Sequence, residues 1–142
     1  MIVPDLNLVV YAHNRYDPRY AKAKARWENC LTSRETIGLS WAVILGFVRI
    51  VTNRRIFKEP TSVSDAIEAV ESWLASPQVQ ILHPGPDHAG LVFGYLHEVG
   101  TAGDLTTDAD LAALAREYQG TIHSADTDFA RFSGLRWKNP LK

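Results

Sequence analysis

The 142-residue sequence predicts a three-layer α/β domain, a central parallel sheet of four to five strands flanked by helices, and two observations carry that prediction. Short apolar runs alternate along the chain with longer stretches whose apolar residues recur at helical spacing. Strands that are apolar throughout need cover on both faces, which the crossover helices of a parallel sheet provide. The composition agrees, with 46% hydrophobic and 22% charged residues and a formal charge of -1, as in an ordinary globular domain. A chain of this length buries roughly 70% of its unfolded surface. The lone Cys30 excludes an internal disulfide and a cysteine zinc cluster, and fits a reducing cytoplasm. The apolar stretch Leu6 to Ala12 follows Asp5 without a basic segment and falls far short of the roughly 20 residues of a membrane span. With no repeat, low-complexity tract or linker-like run, residues 1–142 read as a single domain.

In chain order, Met1 to Pro4 opens as a strand ending at Asp5, and Leu6 to His13 continues as an apolar helical turn or two. Tyr20, Lys24, Trp27 and Leu31 have helical spacing after Pro18, which predicts a helix with Asp17 as its N-cap. Thr36 to Leu39 is the second strand, and Ser40 caps a helix carrying Val43, Ile44, Phe47, Val48 and Val51. After a basic turn at Asn53 to Pro60, Thr61 or Ser62 starts a helix with Val63, Ala66, Ile67, Val70 and Trp73 on one face, stopped by Pro77. Val79 to Leu82 is a third strand before Pro84-Gly85-Pro86, and Asp87 to Val99 a helix ending at Gly100. Thr107 and Asp110 have capping-box spacing for a helix from Asp108 to Tyr118 with Gly120 as its stop. Thr121 to Ser124 is the fourth strand and Leu135 to Lys138 the fifth.

The near-zero net charge conceals segregation. Residues 15–58 carry ten Lys or Arg against three acids, a net of +7, whereas residues 59–128 carry twelve acids against Arg116 alone, a net of -11. A polyanion suits the first stretch and a divalent cation the second, although solvated helix faces account for the same counts. Ligands of open α/β sheets gather beyond the carboxyl ends of the strands. Asp5 ends the first predicted strand, Asp126 and Asp128 follow the fourth, and Asp108 opens the helix leading into that strand. Four carboxylates converging there repel one another, and a hard cation, magnesium or manganese, relieves the repulsion and can activate a water for attack on a phosphodiester. Each acid also has a plain structural explanation: Asp108 complements a helix dipole, Asp110 closes a capping box, and Asp126 serves as an N-cap. Asp5, between apolar runs, is costly without a partner.

Other chemistries lack support. The sequence has no P-loop, dinucleotide fingerprint or nucleophile elbow, its five histidines (His13, His83, His88, His97 and His123) show no H-E-x-x-H spacing, and Asp104, Asp108 and Asp110 make no EF-hand. Trp27, Trp41, Trp73 and Trp137 read as core or interface aromatics, and the helices at 19–33 and 62–75 are the expected apolar partner surfaces.

Four segments carry a resemblance that spans nearly the whole chain: Asp5-Leu6-Asn7-Leu8-Val9-Val10-Tyr11-Ala12, Phe47-Val48-Arg49-Ile50-Val51-Thr52-Asn53, Thr107-Asp108-Ala109-Asp110-Leu111-Ala112-Ala113-Leu114-Ala115, and Asp126-Thr127-Asp128-Phe129-Ala130-Arg131-Phe132 with the closing Trp137-Lys138-Asn139-Pro140-Leu141. Together and in this order they resemble the PIN-domain ribonucleases, more narrowly the VapC toxins of bacterial toxin-antitoxin pairs. The resemblance implies a PIN-like fold over 1–142, a magnesium- or manganese-dependent endoribonuclease leaving a 5′-phosphate and a 3′-hydroxyl, and a homodimer held by a VapB-type antitoxin. It maps metal-site acids onto Asp5 and Asp108, with Asp126 and Asp128 as further acidic positions. Of these, Asp5, Asp108 and Asp126 are the expected metal ligands, and either Asp126 or Asp128 completes the shell or positions the attacking water. Arg49, Arg54 and Arg55 are candidates for the RNA backbone, or else pair with surface acids. Many family members have a glutamate where this chain has Gly46, so the cluster is one carboxylate poorer and a second metal is doubtful. A catalytically silent PIN-like binding module is the rival reading. An aspartyl-nucleophile phosphatase, prompted by Asp126-Thr127-Asp128, ranks below it for want of a phosphate-cradling glycine loop.

Overall fold

In the computed structural model, which describes residues 1–142, five parallel strands form one sheet in the order β3-β2-β1-β4-β5. They are β1 (Ile2–Pro4), β2 (Ile37–Leu39), β3 (Val79–Ile81), β4 (Thr121–His123) and β5 (Trp137–Lys138). Six α-helices connect and cover them: α1 (Leu6–Tyr11), α2 (Tyr20–Thr32), α3 (Trp41–Val51), α4 (Val63–Leu74), α5 (His88–Val99) and α6 (Thr106–Glu117). Two short 3-10 turns, Gly103–Leu105 and Thr127–Arg131, precede α6 and follow β4. No helix is long and apolar enough to cross a membrane.

The predicted sheet is therefore present with all five strands. β1 and β2 are buried at every position, as required of strands covered on both faces. β1 sits at the centre, with β2 on one side and β4 on the other, the latter in register as Ile2 with Thr121, Val3 with Ile122 and Pro4 with His123. Connections leave β1 and β4 in opposite directions, so the carboxyl ends of this pair form a topological switch point, where a crevice opens because no crossover covers it. The residues just beyond are Asp5 and Ser124, and the Asp5 N–H donates to the His123 carbonyl at 2.9 Å.

One contiguous apolar core fills both layers. On one side Trp27 and Trp73 meet edge to face at 5.3 Å, and Phe47 packs on Trp73 at 4.7 Å. Of the two roles expected of these tryptophans, core or interface, Trp27 and Trp73 take the first and are buried within this chain. The large apolar side chains left exposed on this side are instead Trp41 and Leu45 of α3 and Val63 and Ile67 of α4.

Ser40 and Ser62 cap α3 and α4 as predicted, their hydroxyls accepting from the N–H groups of Val43 and Asp65, both at 3.1 Å. Two predicted caps fail for instructive reasons. Asp17 does not cap α2, which begins at Tyr20; its carboxylate instead accepts the Arg19 backbone N–H at 2.8 Å and grips the Arg19 side chain. The Thr107–Asp110 capping box is also absent. The turn at Gly103–Leu105 lets α6 start earlier, at Thr106, with Leu105 in the cap position and no side-chain cap bond. Asp110 is held elsewhere. At the far end of α6 the left-handed residue is Gln119, φ 56°, rather than Gly120. Gly120 is needed for close approach, since a Cβ there would lie 2.7 Å from Val3 Cγ2.

Candidate functional site

The switch point opens into a cleft of about 450 Å³ whose lining includes Asp5 from the end of β1, Tyr11 from α1, Gly46 and Arg49 from α3, Asp108 from the first turn of α6, and Asp126 beyond β4. Asp108 is presented because α6 starts at Thr106, which turns position 108 toward the strand ends, with Leu111 one turn on in the same cleft wall while Ala109 and Ala112 are buried in the core. The carboxylates of Asp108, Asp126 and Asp128, all half-buried, bring one oxygen each within 4.8 Å of one another. Asp5 belongs to the same cleft but stands outside that trio, already engaged on both oxygens. Its Oδ1 accepts from the Leu6 N–H at 2.8 Å and its Oδ2 from the Ser124 hydroxyl at 2.7 Å.

Ser124 organises this corner. Fully buried at the end of β4, its hydroxyl oxygen also accepts from Asn7 Nδ2 at 3.1 Å and from the Asp126 N–H at 2.9 Å. A single side chain therefore ties Asp5 on one strand end to Asp126 on the next. Asp126 in turn accepts the Asp128 N–H at 2.8 Å, so it fills the N-cap role foreseen for it while also facing the cleft. Ser124 and Asn7 were missed at the level of sequence. The available signal was Asn7 embedded in an otherwise apolar run and Ser124 at the end of a predicted buried strand, since a buried hydroxyl or amide must find partners.

The electrostatics follow from the geometry. Burial, reinforced by Asp5, Asp126, Asp128 and Asp104, pushes the Asp108 carboxyl up to about 7. Burial also raises Asp5, with Asp126 adding to it, against the lowering effect of the Ser124 and Leu6 hydrogen bonds. Asp128 has Arg131 Nη1 3.9 Å away, but no ion pair reaches Asp5, Asp108 or Asp126, so the repulsion among these three is not relieved by a paired side chain.

The three arginine candidates separate. Arg49 lines the cleft, whereas Arg54 and Arg55 lie in the exposed turn after α3 and are not part of its wall. None of the three pairs with an acid, which leaves their donors open. Gly46 also lies in the cleft wall, packed against α1: a Cβ built on it would meet Leu6 Cδ2 at 2.7 Å. Leu6 occupies the space into which a longer side chain at 46 would grow, so the two residues fit as a pair.

The histidines stay out of the cleft lining. His88 makes the one strong histidine constellation, with Nδ1 2.7 Å from Glu117 Oε1 and Nε2 2.7 Å from Asp110 Oδ1. Glu117 Oε2 additionally accepts the Gly85 N–H at 2.7 Å. Burial opposes the imidazolium, but the hydrogen bonds and charges of Asp110 and Glu117 overcome it and raise His88 above its ordinary value. This clamp is not legible from local spacing, which reads Asp110 as a capping-box acid and does not bring His88 and Glu117 together. His123, buried in the sheet near Arg26, Lys138 and the N-terminus, is pushed down to about 4 by burial first and those cations second.

Comparison with known proteins extends over the whole chain. The family description that matches is that of the PIN domain, over residues 2–135. Among sequence relatives, Ribonuclease VapC33 of Mycobacterium tuberculosis is 44% identical over 142 residues, covering 100% of this chain and 99% of that protein. Ribonuclease VapC43 of the same organism is 42% identical over 141 residues, covering 99% and 96%. Among solved structures, Mycobacterium tuberculosis VapC20, a sarcin-ricin loop cleaving toxin, superposes with a TM-score of 0.69 at 20% identity over 96% of this chain and 99% of that one. VapBC2 from Rickettsia felis, bound to a DNA fragment from its promoter, gives 0.68 at 19% identity, covering 98% of each chain.

Proposed function

Because the chain belongs to the PIN-domain family, with VapC ribonucleases among its full-length relatives, we propose that it is a metal-dependent endoribonuclease toxin, its residues 1–142 acting as one PIN domain. It cleaves RNA phosphodiesters by attack of water and is held in check by a VapB-type antitoxin on a homodimer. The observation that carries this reading is the trio of Asp108, Asp126 and Asp128 at the switch point, with Asp5 behind it. The donor set suits a hard divalent cation: the converging groups are carboxylates only, with no thiolate or imidazole among them, and their mutual repulsion leaves Asp108 protonated to an unusually high pH until a cation arrives.

Magnesium or manganese would be held by Asp108 and Asp126 with Asp5, and when bound it lowers the pKa of a water and stabilises charge developing on phosphorus. The protein supplies the rest. Ser124 fixes the Asp5 carboxylate and, through the Asp126 N–H, the distance between the two strand ends. Asp128, the member of the trio left over from metal ligation in this reading, accepts a hydrogen bond from the attacking water and orients it. Arg49, the cation in the cleft wall, binds the phosphate that flanks the scissile one. Arg49 belongs to the basic stretch before residue 58, whose net positive charge suits a polyanion.

A second reading, a silent PIN-like binding module, is favoured by one observation: Gly46 leaves the wall without a carboxylate, and Leu6 fills the adjoining space. The two readings part on one experiment. Purified protein is incubated with a small-RNA pool in manganese, magnesium or chelator beside an identically prepared Asp108→Asn variant. Metal-dependent cutting by the wild type that the variant loses supports the nuclease and shows that Gly46 is tolerated. Folded, antitoxin-free protein that is as inert as the variant supports the binding module.

A further inference from the structure

Beside the acids, the same cleft is lined by Tyr11, and Tyr11 carries a second feature. The guanidinium carbon of Arg19 sits 3.6 Å from the Tyr11 ring centroid, and Arg19 Nη1 donates to the Tyr11 hydroxyl at 2.7 Å. Asp17 holds the same guanidinium from the edge, accepting from Nε at 2.9 Å on Oδ1 and from Nη2 at 2.9 Å on Oδ2. All three guanidinium nitrogens thus have partners and an adjacent carboxylate balances the charge, yet the side chain remains 48% exposed while that of Asp17 is 13% exposed. Phosphate contacts need free donors and net charge. With three of its five N–H groups and its charge engaged, Arg19 is a poorer phosphate ligand than a free guanidinium, and it still offers the flat face turned away from Tyr11. A planar, edge-locked guanidinium is a stacking surface, and bases stack on such planes in single-stranded RNA.

We propose that the Asp17–Arg19–Tyr11 stack is a base-stacking platform at the rim of the carboxylate cleft, binding an unpaired nucleobase next to the scissile phosphate. This deepens the nuclease reading and rests on it: it limits the substrate class to single-stranded RNA or to loops whose bases can be splayed out. Arg49 and the platform then divide the labour, one meeting the backbone and the other a base. Duplex RNA, whose bases are already stacked, gains nothing from it.

The test uses single-stranded oligoribonucleotides of about eight nucleotides, with 2-aminopurine at each position in turn, bound in chelator so that they are not cut. Wild type quenches the fluorescence at one or two positions, a signature of stacking. Arg19→Lys keeps the charge but removes the plane, so quenching disappears and binding weakens roughly 5- to 50-fold. Asp17→Asn frees the guanidinium, so quenching falls although one acid has been removed from the path of the RNA. Melting temperatures measured alongside identify any loss due to unfolding. Unchanged quenching and affinity in Arg19→Lys would overturn the platform, as would tighter binding with full quenching in Asp17→Asn, the behaviour of a phosphate contact. Wild type that binds no RNA at all would sink the nuclease reading and the platform together, whereas tight wild-type binding indifferent to Arg19 sinks the platform alone.

Discussion

Helix α6 carries two aspartates two residues apart that meet opposite fates. Asp108 points into a cleft shared with Asp5 and Asp126, lies close to Asp128, has no side-chain ion-pair partner, and is pushed up to about 7 by burial and these neighbouring acids. Asp110 points to the other side and bonds His88 Nε2 at 2.7 Å, while Glu117, two turns further along the same helix, takes the other ring nitrogen. An acid paired with a histidine and a backbone N–H stabilises the fold. An acid crowded among acids opposes it. The difference teaches how to tell a structural carboxylate from a functional one: by whether the chain itself supplies the compensating charge.

The clamp should respond most strongly to removal of its centre. His88→Ala leaves Glu117 and Asp110 without the imidazolium, one of them largely buried, and breaking a buried ion pair from one side costs about 3 kcal/mol. Urea unfolding at pH 6 should show that loss, and a loss under about 1 kcal/mol would reduce the clamp to a surface ion pair. The sign with pH follows from the raised His88 value. The contribution is fully present below the ordinary histidine value of 6.5 and is lost as pH rises through the higher folded-state value. The deficit of the variant should therefore shrink between neutral and alkaline pH.

On the cleft side, Ser124→Ala is the next largest effect. It removes the hydroxyl shared by Asp5, Asn7 and the Asp126 N–H, and, with Asp5 among the proposed metal ligands, loss of such a support is expected to cost about 10- to 100-fold in activity. Because that hydrogen bond lowers the Asp5 pKa, the acidic limb of the pH–rate profile should move to higher pH. An unchanged limb would mean Ser124 only fills space.

The smallest effect is thermal. Asp108 has a folded value of about 7 against an ordinary 3.8, so its ionisation costs stability increasingly from about pH 4 upward and fully above 7. Because the group is only half-buried, solvent screening reduces this to about 1 kcal/mol, or roughly 2–4 °C. In chelator, Asp108→Asn should melt higher than wild type at pH 8 and equally at pH 4, by scanning calorimetry. An equal melting temperature at both pH values would show that Asp108 is not under strain.

Much of this was legible in the sequence, and what was not has a physical reason. The five strands and the serine caps at Ser40 and Ser62 could be read because apolar runs and N-cap chemistry are local signals. Asp5, Asp126 and Asp128 could be placed at strand ends, and Asp108 at the start of the helix beside them, because a parallel sheet fixes which end of each strand carries the ligand. Asp17 and Asp110 were misread as caps because local spacing says nothing about a distant competitor: Arg19 captures one and His88 the other. The role of Ser124 depends on Asp5, 119 positions away in the chain, which only the pairing of β1 with β4 brings within reach. Gly46 was noticed as a gap, but that Leu6 accounts for it required the packing of α1 on α3.

The central claim is that α6 keeps Asp108 for a cation and Asp110 for the fold. Calorimetric titration of manganese into wild type, Asp108→Asn and Asp110→Asn, at a temperature where all three are folded, tests it most directly. The account predicts binding by wild type and Asp110→Asn and none by Asp108→Asn. Loss of binding in both variants alike, or undiminished binding in Asp108→Asn, would contradict it.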